Sequence, residues 1–195
     1  MEQFDLFSVP LIKHQNFISD DEANKIFNDL KDGPGAIQHK LVEGNATSTA
    51  RVWNLHILDK YPDIKSRIQE ALDEYTKSVG IVKTKISASW FNLQQKESKL
   101  LPHSHPAGHV SGQVIINADQ GSSKIFFKNP HYDQQYFCWW LTTCETKYNT
   151  EHAPFPVNKG DLFLFPSYIV HGGRENFSKN RLVIAFDATF IDSPK

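Results

Sequence analysis

His103 and His105 stand two residues apart in the segment PHSHPAGHVSG, and a third histidine, His171, closes the apolar run GDLFLFPSYIVH farther along the chain. Metal binding is the chemistry this spacing offers. Alternate side chains of an extended segment project to the same side, so a His-x-His pair can present two imidazoles to one ion. His171 is the candidate for a third ligand, because the run before it reads as a buried strand over Asp161–Phe165 that ends or bulges at Pro166. Ten residues beyond His171, Arg181 opens a second apolar strand, RLVIAFDATF. A guanidinium at the mouth of a metal site is suited to bidentate capture of a carboxylate.

Each of these residues also has a structural reading. His103, His105 and His109 could form a polar loop that binds nothing, and Arg181 could close a salt bridge to Asp187 or Asp161. His109 could replace His105 as a ligand, face a substrate or bond a loop carbonyl, the last being expected. His14, His39, His56, His131 and His152 lie in polar or loop contexts that place them at the surface. Trp53, Trp90, Trp139 and Trp140 read as packing residues, and Cys138 and Cys144 as reduced structural thiols on a strand pair. The chain contains no G-x-S-x-G, P-loop or G-x-G-x-x-G, and neither cysteine has the context of a nucleophile.

The elements that must hold these groups change character along the chain. Ser19-Asp20-Asp21-Glu22 forms an S-x-x-E capping box ahead of Ala23, Ile26, Phe27 and Leu30, with Gly33-Pro34-Gly35 as the stop. A second helix is predicted from Pro62 to Val79, with Gly80 as its C-terminal cap, and Gly44–Thr49 between the helices reads as a loop. After residue 82 the periodicity shifts to 2. Strands are predicted over Lys83–Gln94, Gly112–Asn117, Lys124–Lys128, Gln135–Thr143, Asp161–Phe165 and Arg181–Phe190. Together these predict a mainly β fold with supporting helices (α+β): one domain over 1–195, in which 1–82 is a helical support and 83–195 a jelly roll, or double-stranded β-helix of the cupin kind. Its open end would gather His103, His105 and His171.

A net charge of −1 gives no nucleic-acid footprint and no polybasic membrane patch. The opening residues carry no export signal and no stretch approaches a membrane span, so a cytoplasmic protein is expected.

The order His-x-His, SGQVIIN, GDLFLFPSYIVHGG, NRLVIAF resembles the iron(II)- and 2-oxoglutarate-dependent oxygenases, in particular a branch with a His-x-His motif found in marine bacteria and phages. The resemblance covers roughly Ser87 to Phe190. It implies a double-stranded β-helix, with His103 as the first metal ligand, His171 as the distal ligand and Arg181 gripping the far carboxylate of 2-oxoglutarate. His105 occupies the position where the superfamily usually has a carboxylate; a neutral imidazole is a good iron ligand, but it raises the site's net charge by one unit. Val183 stands where many relatives carry Ser or Thr, and Asn92, Ser111 or Gln113 could supply that hydrogen bond to the co-substrate.

The implied cofactors are iron(II), 2-oxoglutarate and dioxygen. The implied reaction yields succinate and carbon dioxide as a substrate C–H bond is hydroxylated. A small-molecule or peptidyl substrate is expected, a homodimer is compatible with the chain, and a phage-encoded protein would work in the host cytoplasm. Three other classes stay open on the same residues: a three-histidine cupin-type dioxygenase that does not use 2-oxoglutarate, a metal-dependent isomerase or zinc-loaded structural protein, and a jelly-roll binding module.

Overall fold

The computed structural model describes residues 2, 8–38, 40–50, 55–135 and 143–191. Helix α1 (Asp20–Leu30) begins at the expected capping box: the Glu22 amide donates to Ser19 Oγ at 3.3 Å and the Ser19 amide donates to the Glu22 carboxylate at 2.8 Å. That reciprocal pair satisfies two amides the first turn would leave unbonded. Helix α2 (Pro62–Val79) has proline in its first turn and ends on Gly80 at φ 72°, the left-handed cap that glycine takes without strain. Their apolar stripes, among them Ala23, Ile26, Leu30, Ile64, Ile68 and Leu72, are buried.

The described strands are β1 (Ile12–His14), β2 (Ile37–Gln38), β3 (Val42–Glu43), β4 (Ala46–Ser48), β5 (Thr84–Gln95), β6 (Lys99–Leu100), β7 (Val110–Ala118), β8 (Ile125–Lys128), β9 (His152–Phe155), β10 (Leu162–Pro166), β11 (His171–Gly173) and β12 (Asn180–Phe190). One sheet runs β1-β10-β7-β12-β5-β4-β2, a second runs β11-β8-β9, and β3 pairs with β6. The segment from Ser98 to His103 follows β11 through the isolated bridges Ser98↔Asn176 and His103↔His171. The protein is therefore mainly β with two helices against one sheet, a jelly roll.

Alternation on the large sheet separates two cores. Leu182, Ile184, Phe186, Val114, Ile116, Leu162, Leu164, Phe91 and Leu93 join the helices in one apolar cluster. Val183, Ile115, Phe163 and Phe165 join Ile125, Phe127 and Ile169 of the other side in a second. Because side chains alternate along a strand, everything in phase with Val183 faces the interior between the sheets. The register puts Arg181 opposite Gln94, Val183 opposite Asn92, Ala185 opposite Trp90 and Asp187 opposite Ala88. On the other flank of β12, Asp187 pairs with Ser111 and Ala185 with Gln113. One inward row thus carries most of the sheet's buried polar side chains.

Three expectations change. Gly44–Thr49 is not all loop, since β4 pairs antiparallel with β5, Ala46 opposite Gln94 and Ser48 opposite Asn92; a three-residue strand is too short to show alternation. His103 and His105 lie in an irregular connection rather than a regular strand, because Pro102 and Pro106 lack the amides a ladder needs. The strand expected over Gln135–Thr143 falls mostly on 136–142, outside the described residues, and Tyr132–Gln135 is a 3-10 turn. Cys138, Trp139, Trp140, His39 and Trp53 also lie outside them. No helix among the described residues is long and apolar enough to cross a membrane.

Candidate metal centre

His103 and His171 are held by the backbone on both sides of their bridge. The His103 amide donates to the His171 carbonyl and the His171 amide to the His103 carbonyl, each at 2.9 Å. The His105 amide donates to the Ser167 carbonyl at 2.9 Å, which fixes the second histidine to the turn leaving β10. Gly172 follows His171 because a Cβ there would meet Phe126 Cζ at 2.9 Å and the Leu100 carbonyl at 3.0 Å.

Hydrogen bonds then set which nitrogen of each ring is free. Nδ1 of His103 donates to the Leu101 carbonyl at 2.9 Å, Nδ1 of His171 to the Ile169 carbonyl at 3.1 Å, and Nδ1 of His105 to Asp187 Oδ1 at 2.6 Å. Carbonyls and carboxylates only accept, so the Nδ1 atoms carry the protons and the three Nε2 lone pairs are left for an ion. One ligating nitrogen from each ring lies within 4.8 Å of the others. Burial also holds the His103 imidazole below its ordinary pKa, and pushes that of His171, which the His103 ring opposes as well, down to about 3. Neutral imidazole is the ligating form, so this donor set fits a divalent ion such as iron(II).

Deeper along the inward row lies Arg181, 2% exposed. Its Nη1 donates to Gln94 Oε1 at 2.5 Å while its Nε has no partner. Burial lowers its pKa to about 10, which leaves the guanidinium charged at neutral pH. Neither carboxylate considered as its salt-bridge partner touches it: Asp161 pairs with Lys13 at 2.8 Å and Asp187 with His105. Gln94 Nε2 and Gln113 Nε2 are likewise buried without acceptors. These three orphaned atoms are all donors, and the carboxylate oxygens of a dicarboxylate such as 2-oxoglutarate are the acceptors they call for.

The other named residues distribute as follows. Asn92 accepts from Ser48 Oγ at 2.5 Å on the inward row. Ser111 sits at the histidine end, donating to Asp187 Oδ1 at 2.6 Å. His109 is exposed and its ring stacks on Phe190 at 3.7 Å between centroids, rather than bonding a loop carbonyl. Trp90 tilts against His105 at 5.5 Å, so it borders the site as well as packing. Gln94 and Asp187 are the residues that sequence reasoning did not assign to the site. Strand phase is the signal that finds them, since each is separated by an even number of positions from Asn92 or Arg181.

The family described as "Putative 2OG-Fe(II) oxygenase" matches residues 88–187. No curated protein matches the chain. Among solved structures the fold is similar to HygX from Streptomyces hygroscopicus with nickel and 2-oxoglutarate bound, at 10% identity and a TM-score of 0.65, covering 94% of this chain and 84% of that one. It is similar to a prolyl-4-hydroxylase from Pseudomonas putida at 12% identity and a TM-score of 0.63, covering 96% of each chain. A third likeness is to SnoN, a non-heme alpha-ketoglutarate-dependent epimerase from nogalamycin biosynthesis, at 10% identity and a TM-score of 0.65, covering 93% of this chain and 79% of that one. At such identities the likeness establishes the fold, the double-stranded β-helix.

Proposed function

The chain belongs to the 2OG-Fe(II) oxygenase family, and from that premise we propose that it binds iron(II) through His103, His105 and His171, takes 2-oxoglutarate with its far carboxylate on Arg181, and hydroxylates a C–H bond of a second substrate. The observation that carries this reading is a buried, charged Arg181 with no carboxylate partner among the described residues, on the inward row that leads to three converging imidazoles. We place the chain in the branch with a His-x-His motif found in marine bacteria and phages, with a small-molecule or peptidyl substrate met in the cytoplasm.

Iron(II) supplies the redox chemistry that couples oxidative decarboxylation of 2-oxoglutarate by dioxygen to oxidation of the substrate. The protein's own residues do the positioning. His103 and His171 are fixed by their mutual backbone bonds and His105 by Asp187, so the donor atoms need little rearrangement. Arg181 offers its unpaired Nε–H to a carboxylate, and Gln94, which already accepts from Nη1, has a buried amide N–H of its own left without an acceptor. Phe127, Phe163, Phe165 and Val183 belong to the buried apolar cluster between the sheets, an environment in which such charge-assisted bonds are stronger than in water. No side-chain general base is required.

Anaerobic titration of the iron(II)-loaded protein with 2-oxoglutarate tests the reading through the weak visible charge-transfer band of the chelate. A saturating band that weakens in His105→Ala and Arg181→Ala is the expected result. Iron binding without a band would favour the second reading, a three-histidine dioxygenase without 2-oxoglutarate, which the imidazole of His105 in place of a carboxylate supports.

A further inference from the structure

Among the three histidines, only His105 has a charged partner behind its ring. Nδ1 of His103 and of His171 meet neutral backbone carbonyls, whereas Nδ1 of His105 meets the Asp187 carboxylate at 2.6 Å. Asp187 is itself held from several directions. Ser111 Oγ donates to the same carboxylate oxygen at 2.6 Å and receives a bond from Ser167 Oγ at 2.8 Å. Gly108 brings the loop against this group so closely that a Cβ would meet Ser167 Oγ at 2.6 Å and Asp187 Cγ at 3.3 Å. The register between β12 and β5 slips immediately after Asp187, the local bulge that commonly re-aims a side chain. A short surface ion pair would need none of this.

We propose that Asp187 is a positioning residue of the metal centre: through His105 it fixes the ring with Nε2 toward the ion and places one negative charge behind an otherwise neutral set of three imidazoles. A carboxylate in that place makes the imidazole a stronger donor and offsets part of the ion's charge without occupying a coordination position. His105 is then the histidine through which the protein tunes the metal, while the carbonyl-backed pair chiefly locates it. The inference rests on the reading of His103, His105 and His171 as the ligands.

Cobalt(II) is the probe, added to the metal-free full-length protein and followed by its visible d–d absorption, with no turnover involved. Asp187→Asn, close to isosteric, is expected to weaken cobalt binding about 10–100-fold, and to shift the d–d bands, while the metal-free variant melts as a folded protein. In a His105→Ala background the same substitution is expected to change the affinity less than twofold. Ser111→Ala, which removes the hydroxyl that donates to Asp187 and lies 3.2 Å from His105 Nδ1 while keeping all three histidines, is expected to weaken binding by a smaller factor in the same direction; it decides the matter if Asp187→Asn does not fold. Wild-type affinity in both Asp187→Asn and Ser111→Ala overturns the proposal, and so does an equal loss in the His105→Ala background. Wild-type protein that fails to bind cobalt, or binds it unaffected by His103→Ala and His171→Ala, overturns the ligand assignment instead.

Discussion

Arg181 is a buried cation with no acid beside it among the described residues. Among those residues its desolvation is offset only by Gln94, an electrostatic cost that a bound dianion would remove. Arg181→Met is therefore expected to stabilise the empty protein by about 1–3 kcal/mol, read from denaturant midpoints, while losing 2-oxoglutarate binding and keeping metal binding. A fall in stability on that substitution would mean that the guanidinium has structural partners. The histidines give a pH prediction. His171 has a folded pKa of about 3 against an ordinary 6.5, so as pH falls the unfolded chain takes up its proton first. Stability of the metal-free protein is then lost progressively from about pH 6.5 toward 3, and His103 adds in the same direction. Urea midpoints across that window should fall more steeply in the wild type than in His171→Gln. At this scale the three histidines and Arg181 were legible as candidates, the His-x-His pair from its spacing and His171 and Arg181 from their places beside apolar runs. Gln94 and Asp187 were not, because an amide and a carboxylate on a strand look like surface residues until the strand's phase is known.

The helices were the most legible elements: capping chemistry and 3.6-residue spacing announce α1 and α2 almost to the residue. Ser19→Ala removes a capping-box acceptor and is expected to cost about 1 kcal/mol, with Ser19→Asp restoring most of it in thermal melts. The long strands β5, β7 and β12 were legible from alternation, whereas β2, β3, β4, β6 and β11, two or three residues each, are defined only by what they pair with. Gly112 on β7 illustrates an element-scale constraint hidden in a single letter. A Cβ there would strike Phe186 Cζ and lie 2.7 Å from the Phe163 carbonyl of the adjoining strand, in the middle of the large sheet. Gly112→Ala is expected to destabilise the protein by about 1–3 kcal/mol or more, and an unchanged denaturant midpoint would show that the sheet can open there.

Across the whole molecule, the two faces of one sheet divide the work: the helix-side face supplies an apolar core, and the opposite face holds the polar row between the sheets. That division was readable in outline, since alternation predicted a jelly roll backed by helices. Which face would be polar was not, because it depends on where the helices dock. Ligands that enter this interior bind the folded state alone. Iron(II) and 2-oxoglutarate, each at about 100 times its dissociation constant, should each add about 2.7 kcal/mol, raising the melting temperature by roughly 5–10 °C per ligand; thermal shift with each separately and both together checks this.

The reciprocal 2.9 Å backbone bonds between His103 and His171 make the pair a clasp that the chain's own amides and carbonyls hold shut. Uptake and release of metal then require no refolding of the chain around them, so the ion should behave as an exchangeable part. A purified sample stripped by chelator should be reloaded in the tube, with iron or with a spectroscopic substitute, and hydrogen exchange at those two amides should be as slow in the stripped protein as in the loaded one.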